Sequence, residues 1–178
     1  MTSLAEKLLA IDGSLAEAAL PHAFGGAIAL AYCTLEPRGT RGLDVNVFVG
    51  TDRAGDVCDA LPHPIDASQR QRAALERDGQ VRVSWDDTPV DLFLDVHDFH
   101  REIAAEIRRV PFEGAAIPVL GCDALAVFKA MFNRTRDWAD VEAMLGANAV
   151  DGPSVLTRLR ALLGSADPVV TRFAALLA

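Results

Sequence analysis

FGGAIALAYCTLEPRGTRGLDVNVFVG, residues 24–50, carries three local signals in one run. The pair Gly25-Gly26 reads as a tight turn entering a small, Ala-rich helix that must pack closely, because glycine alone turns the chain there without a Cβ in the way. Pro37 and Gly39 then mark a loop. From Leu43 the pattern changes to a period of two: Leu43, Val45, Val47 and Val49 alternate with Asp44, Asn46 and Phe48. That is a strand with one face buried and with Asp44 and Asn46 on the other.

Working outward, Ser3 with Glu6 and Ser14 with Glu17 have the spacing of capping boxes and predict two short helices, the second ended by Pro21. Asp66 is placed to cap a helix through about Arg77. Gln80–Trp85 and Val90–Val96 read as strands joined in a hairpin by the Asp86-Asp87 turn. A helix is predicted over Asp98–Arg109 with Pro111 as its stop, then a short edge strand over Ile117–Leu120 containing Pro118. Beyond Gly121 the pattern is helical: Asp123 to about Phe132, Arg134–Leu145, Pro153–Leu163, and a last helix capped by Asp167 with Pro168 in its first turn. The expected class is therefore α/β (α+β), a small mixed sheet flanked by helices. Residues 1–120 form the core and residues 121–178 a helical part packed on it as one unit.

The chain has 178 residues, 51% hydrophobic and 24% charged, which suits a globular fold and not a disordered or coiled-coil one. Its 17 basic and 25 acidic residues give a net charge of -8, against a broad basic surface for nucleic acid. The uncharged run Ala18–Leu35 contains Pro21, His22 and the glycine pair, so no membrane span is expected, and the start MTSLAEKLLA has no signal-peptide pattern. The expected location is cytoplasmic. Cys33, Cys58 and Cys122 are odd in number and without a CxxC, so they read as small core residues or idle thiols, with no disulfide expected.

Five aspartates fall between Asp86 and Asp98 with no Lys or Arg among them, so something outside that segment, or water, must balance them. Asp91, Phe93 and Asp95 share one face of their strand. Were this strand to neighbour the one carrying Asp44, carboxylates would converge on a hard divalent cation; a solvated sheet face is the other reading. Lys129 is one of only two lysines and sits inside DALAVFKAMF. Lys129, Asn133, Arg136 and Asp140 make one polar stripe on a continuous helix, with Asp137 at its margin. That stripe is either a solvated face laced by ion pairs or a fixed positive charge for phosphate. His97 and His100 offer no clear third metal ligand, and no nucleophile elbow, Walker or dinucleotide fingerprint is present.

Together these residues resemble the polymerase-beta-like nucleotidyltransferases, especially the AbiEii/MenT-type toxin branch. Gly25-Gly26 followed by Arg38, Thr40 and the strand GLDVNVFV resembles the first motif, a glycine pair and then Arg-x-Ser/Thr-x-Asp-x-Asp. Val90-Asp91-Leu92-Phe93 is similar to the strand bringing a third metal carboxylate. Lys129 with Arg136-Asp137-Trp138-Ala139-Asp140 resembles the later helical motifs. The resemblance implies Asp44, Asp91 and Lys129 as catalytic residues. It implies nucleotide contacts from Gly25, Gly26, Arg38, Thr40, Lys129, Arg136, Asp137 and Asp140, and metal contacts from Asp44, Asp91 and Asn46.

One departure from the motif falls on its carboxylate pair. Aligning Thr40 with the family's Ser/Thr puts Gly42 where the first aspartate stands and Asp44 at the second; taking Asp44 as the first puts Asn46 at the second. Spacing to the glycine pair favours the first register, in which Asp44 and Asp91 carry the site with Asp95 as a further candidate. The implied activity is transfer of a nucleoside monophosphate from an NTP, with Mg²⁺ or Mn²⁺, onto an acceptor hydroxyl such as a tRNA 3′ end or a protein. Arg101, Arg108, Arg109, Arg134 and Arg136 are the candidate tRNA contacts, and a toxin-like relative would have an antitoxin-like partner. The alternatives are a catalytically weakened nucleotide-binding or regulatory module, and a structural α/β protein without a ligand.

Overall fold

The computed structural model describes residues 2–178. The chain divides into two compact units, Met1–Ile28 with Arg38–Leu120, and Ala29–Pro37 with Gly121–Ala178.

The first unit is built on a sheet. Helix α1 (Leu4–Glu17) starts on the expected capping box, Ser3 Oγ accepting from the Glu6 N–H and Glu6 Oε2 from the Ser3 N–H. Ser14 does not start a second helix: it lies in the last turn of α1, because Gly13 is tolerated where nothing else interrupts the ladder. Then come β1 (His22–Phe24), α2 (Gly26–Thr34, which belongs to the second unit from Ala29 onward), β2 (Leu43–Val47), α3 (Ala54–Ala60) and α4 (Gln69–Asp78). Ser68, not Asp66, caps α4, closing a capping box with Gln71. The expected hairpin follows as β3 (Gln80–Trp85) and β4 (Thr88–Leu94), then α5 (Asp98–Ile103), β5 (Arg108–Phe112) and β6 (Ala115–Val119).

The six strands run in the order β3-β4-β2-β1-β6-β5. The β2/β4 and β1/β6 pairs are parallel, while β1/β2, β3/β4 and β5/β6 are antiparallel, so the sheet is mixed. Two expectations change here. The helix read through Arg109 ends at Ile103 and Arg108–Phe112 joins the sheet; Pro111 is accommodated because β5 is an edge strand with no ladder partner on one side. The strand holding Pro118 is therefore interior, between β1 and β5.

On β2 and β4 the alternation sorts side chains as read. Leu43, Val45, Val47, Val90, Leu92 and Leu94 are buried on one face; Asp44 and Asp91 point to the other. The aspartate-rich segment is balanced from elsewhere in the chain. Lys7 of α1 is buried, donates to the Trp85 carbonyl and Thr88 Oγ1, and lies 3.4 and 3.7 Å from the Asp86 and Asp87 carboxylates. Arg82 holds Asp91, and Arg101 pairs with Asp95 and Asp98.

The second unit contains α6 (Cys122–Phe132), α7 (Thr135–Gly146), α8 (Gly152–Leu163) and α9 (Pro168–Ala175), with α6 against α7 and α8. Asp167 caps α9 with Pro168 at its start, as the sequence predicts. Asn133, left-handed at φ 55°, ends α6, and its Oδ1 accepts from Trp138 Nε1. The polar stripe read as one helical face therefore spans two helices. Within the same unit Cys33 and Cys122 form a disulfide, contrary to the expectation of unpaired thiols. The pairing depends on bringing the end of α2 to the start of α6, 89 residues later, which no local spacing encodes. Cys58 stays free, and burial pushes its thiol pKa up. No helix among the described residues is long and apolar enough to cross a membrane.

Candidate functional site

The register of the sheet aligns the acidic residues. Asp44 pairs with Asp91 across the parallel β2/β4 ladder, and Asp91 pairs with Arg82 across the antiparallel β4/β3 ladder. Asp44, Asp91 and Arg82 thus form one row over three adjacent strands, on the face opposite the core. The Arg82 guanidinium grips Asp91 with two hydrogen bonds of 2.7 Å, Nε to Oδ1 and Nη2 to Oδ2. Asp91's carboxylate, and more weakly Asp44's, hold the Arg82 pKa above its ordinary value.

The glycine pair closes on the same row. Gly25 donates its N–H to the Asp44 carbonyl at 2.8 Å, extending the β1/β2 ladder. Gly26 has φ +51°, and a Cβ on it would collide with the Asp44 carboxylate. Gly26 thus lets the backbone turn into α2 and lets that carboxylate lie directly against the start of the helix, where the helix dipole favours negative charge. Asn46 is buried two residues along, its Nδ2 3.0 Å from where a Gly25 Cβ would stand.

Other candidates lie apart from this row. Asp95 is four residues beyond Asp91, about 13 Å along the strand direction, and its Oδ2 is turned to Arg101. Gly42 shares the Asp44 face, and a Cβ there would be 3.0 Å from Pro89 Cγ and the Pro89 carbonyl, so a side chain at this position requires Pro89 to shift by a few tenths of an ångström. Thr40 Oγ1 is occupied locally, donating to the Gly42 carbonyl at 3.0 Å and accepting from its N–H at 3.3 Å. Arg38 is exposed in the loop before β2. Of the arginines considered for RNA contact, Arg101 is paired with Asp95 and Asp98, Arg109 donates to the Ala116 carbonyl, and Arg134 grips Asp137.

In the helical unit Lys129 Nζ lies 2.6 Å from Asp140 Oδ2 and 3.4 Å from Asp137 Oδ1, all three side chains being buried. Arg134 Nε donates to Asp137 Oδ2 at 2.6 Å. Burial alone would raise the Asp137 pKa, but the Arg134 hydrogen bond and the Lys129 charge outweigh it and hold the carboxyl below its ordinary value. Arg136 is exposed on α7. His97 and His100 stack with ring centroids 6.4 Å apart, and burial keeps the His100 pKa low.

The resemblance implies a magnesium or manganese ion, and the row can be tested for it. Among the described residues no group of three or more His, Cys, Asp or Glu side chains is placed for a metal ion. Asp44 and Asp91 supply two carboxylates on adjacent strands. That matches how Mg²⁺ is commonly held, by one or two carboxylates completed by substrate phosphates and water. The chemistry of the two carboxylates suits a hard divalent ion, and both Asp91 oxygens are engaged by Arg82. Sequence reasoning missed Arg82, although the hairpin carried the signal: a turn at Asp86-Asp87 pairs Trp85 with Thr88 and, stepping back along both arms, Arg82 with Asp91.

Solved structures share this architecture. Two are of the antibiotic-resistance factor ANT(2″)-Ia: a solution structure, 12% identical with a TM-score of 0.65, covering 97% of this chain and 94% of that one, and a crystal structure in complex with adenylyl-2″-tobramycin, 12% identical with a TM-score of 0.62, covering 98% of each. A crystal structure of an H. pylori protein provisionally named a nucleotidyltransferase is 20% identical with a TM-score of 0.51, covering 97% of this chain and 88% of that one. The fold is of the nucleotidyltransferase type. No family model matches the chain, and no curated protein matches it. At these identities the likeness concerns the arrangement of strands and helices, and what the residues do rests on their own geometry.

Proposed function

We propose that this chain is a nucleotidyltransferase that binds a nucleoside triphosphate at the Asp44–Asp91 row and moves its nucleoside monophosphate onto an acceptor hydroxyl. The observation that carries the proposal is the register itself: two carboxylates face each other on parallel strands, and the Gly25-Gly26 turn lies against one of them. Asp44 and Asp91 would hold one Mg²⁺ or Mn²⁺, with the Asn46 amide as a neighbouring donor. That ion would supply charge neutralisation on the phosphates and a lower pKa for the attacking hydroxyl. Gly25 and Gly26 give the phosphate chain close access to backbone, with Arg38 and Thr40 in the adjoining loop as further nucleotide contacts. The acceptors to test are a tRNA 3′ end, a protein hydroxyl and, because ANT(2″)-Ia is described with adenylyl-2″-tobramycin, a hydroxylated small molecule. A toxin-like role with an antitoxin-like partner belongs to the same reading.

A second reading, a nucleotide-binding module with weakened catalysis, is favoured by Gly42 standing on the carboxylate face and by both Asp91 oxygens being engaged by Arg82.

The test is calorimetric titration of ATP, CTP, GTP and UTP with and without Mg²⁺, followed by label transfer to cell-extract acceptors. Transferase activity predicts Mg²⁺-dependent micromolar binding that Asp44→Ala abolishes, and labelled product from at least one NTP. Binding without transfer, with transfer gained by Gly42→Asp, would select the weakened module. No binding of any nucleotide would overturn both.

A further inference from the structure

The row of charges ends in a cation that the motif does not call for. Arg82 stands on β3, at the edge of the sheet, and its side chain is 66% exposed, whereas that of Asp91 is 26% exposed. Its two hydrogen bonds engage both Asp91 oxygens, the atoms a divalent ion would use. The backbone beneath is fixed independently, because the Gln71 side chain of α4 donates to the Arg82 carbonyl at 2.8 Å. The side chain can therefore leave Asp91 without disturbing the strand, and an exposed ion pair costs little to open.

Two carboxylates side by side repel each other when nothing lies between or beside them. In the free protein Arg82 removes that repulsion from one end of the row, and the start of α2 receives Asp44 at the other. An ion entering the row competes with the guanidinium for the Asp91 oxygens, and the like charges of the two cations favour release of the guanidinium. The released side chain, planar and still charged, would stand on the strand next to Asp91's, with a fork suited to phosphate oxygens.

Resting on the nucleotide reading above, we propose that Arg82 is a tethered counter-ion: it holds Asp91 in the free protein, gives it up when a metal–nucleotide arrives, and then contacts the phosphates. Arg82 thereby makes the site a poor binder of a bare cation and a good binder of a cation delivered on a phosphate chain. The two effects have opposite signs for one side chain, which distinguishes this role from a simple surface ion pair.

The experiment titrates Mn²⁺ alone, followed by its electron paramagnetic resonance signal, and the Mn²⁺–ATP complex, followed by calorimetry, into the wild type, Arg82→Gln and Arg82→Lys. Asp91→Asn and Asp44→Ala serve as controls, and folding is checked by thermal melting. Arg82→Gln is expected to tighten binding of Mn²⁺ alone about two- to fivefold, in keeping with loss of a weakly held competitor, and to weaken binding of the Mn²⁺–ATP complex by a similar factor. Arg82→Lys keeps the charge without the fork, is the variant least able to disturb folding, and should fall between. Unchanged Mn²⁺ affinity in both Arg82 variants, with Asp44→Ala and Asp91→Asn still abolishing it, overturns the tethered counter-ion and leaves the site standing. No Mn²⁺ binding to any variant, alone or with ATP, overturns the site reading and the counter-ion with it.

Discussion

The two units handle buried and paired charge in different ways. In the helical unit Lys129, Asp137 and Asp140 are enclosed, and Arg134 completes a network in which each carboxylate already has a cation. In the sheet unit Asp44, Asp91 and Arg82 are strung along neighbouring strands, and the cation is the most exposed member of the Arg82–Asp91 pair. An enclosed network resists exchange, because removing one partner leaves another charge buried without compensation. An open row permits exchange, because water compensates whichever partner is released. Stability should therefore depend on the helical cluster and ligand exchange on the sheet row.

The sharpest way to break that contrast is Asp140→Ala. It removes the 2.6 Å partner of Lys129 and leaves the ammonium with Asp137 at 3.4 Å, a carboxylate already gripped by Arg134. The expected cost is about 3–5 kcal/mol of stability, read as a fall in denaturation midpoint without a change in slope. A loss below about 1 kcal/mol would put the helical cluster in the same class as exposed pairs, and the contrast would fail. The same measurement frames any nucleotide titration of Lys129→Ala, since a variant that unfolds says nothing about phosphate.

A smaller effect of the same origin is expected in acid. The Asp137 carboxyl titrates lower in the folded protein than in the unfolded chain, because Arg134 and Lys129 together outweigh the effect of burial. Its stabilising contribution is complete above the ordinary carboxylate pKa of about 4. It is lost as the pH falls through the lower native value, since the unfolded chain takes up the proton first. Melting temperature followed downward from pH 5 should therefore decline more steeply for the wild type than for Asp137→Asn. Parallel curves would show that the Asp137 charge adds nothing to the fold.

How much of this was legible depended on the range of the interaction. Strands β2, β3 and β4 show in the sequence because their alternation is local, and the hairpin because Asp86-Asp87 sits between two such runs. β1 has only three residues, too few to show a period, and β5 was hidden by a helix-like run ahead of Pro111. Of the candidate row, Asp44 and Asp91 could be named, but their being opposite each other required the parallel β2/β4 pairing, which alternation does not specify. Lys7 reaches the hairpin from 78 and 81 residues away. The Cys33–Cys122 bridge spans 89. Such partners are set by the assembled fold, so a sequence that displays a surplus of aspartates does not display what balances them.

The smallest expected effect probes the sheet row from the stability side. Arg82→Gln deletes a bidentate ion pair but leaves the Arg82 carbonyl bonded to Gln71, and the β3/β4 ladder intact, because both are backbone features. The released carboxylate is open enough to be hydrated. The expected change in unfolding free energy is therefore within about 1 kcal/mol, and it should shrink further in high salt as the remaining Asp44–Asp91 repulsion is screened. A larger, salt-independent loss would mean that the pair is structural and that the row does not exchange its cation. A small, screened change alongside altered metal binding would separate the two units by function: one network that stabilises the fold and one row of charges whose members can trade partners.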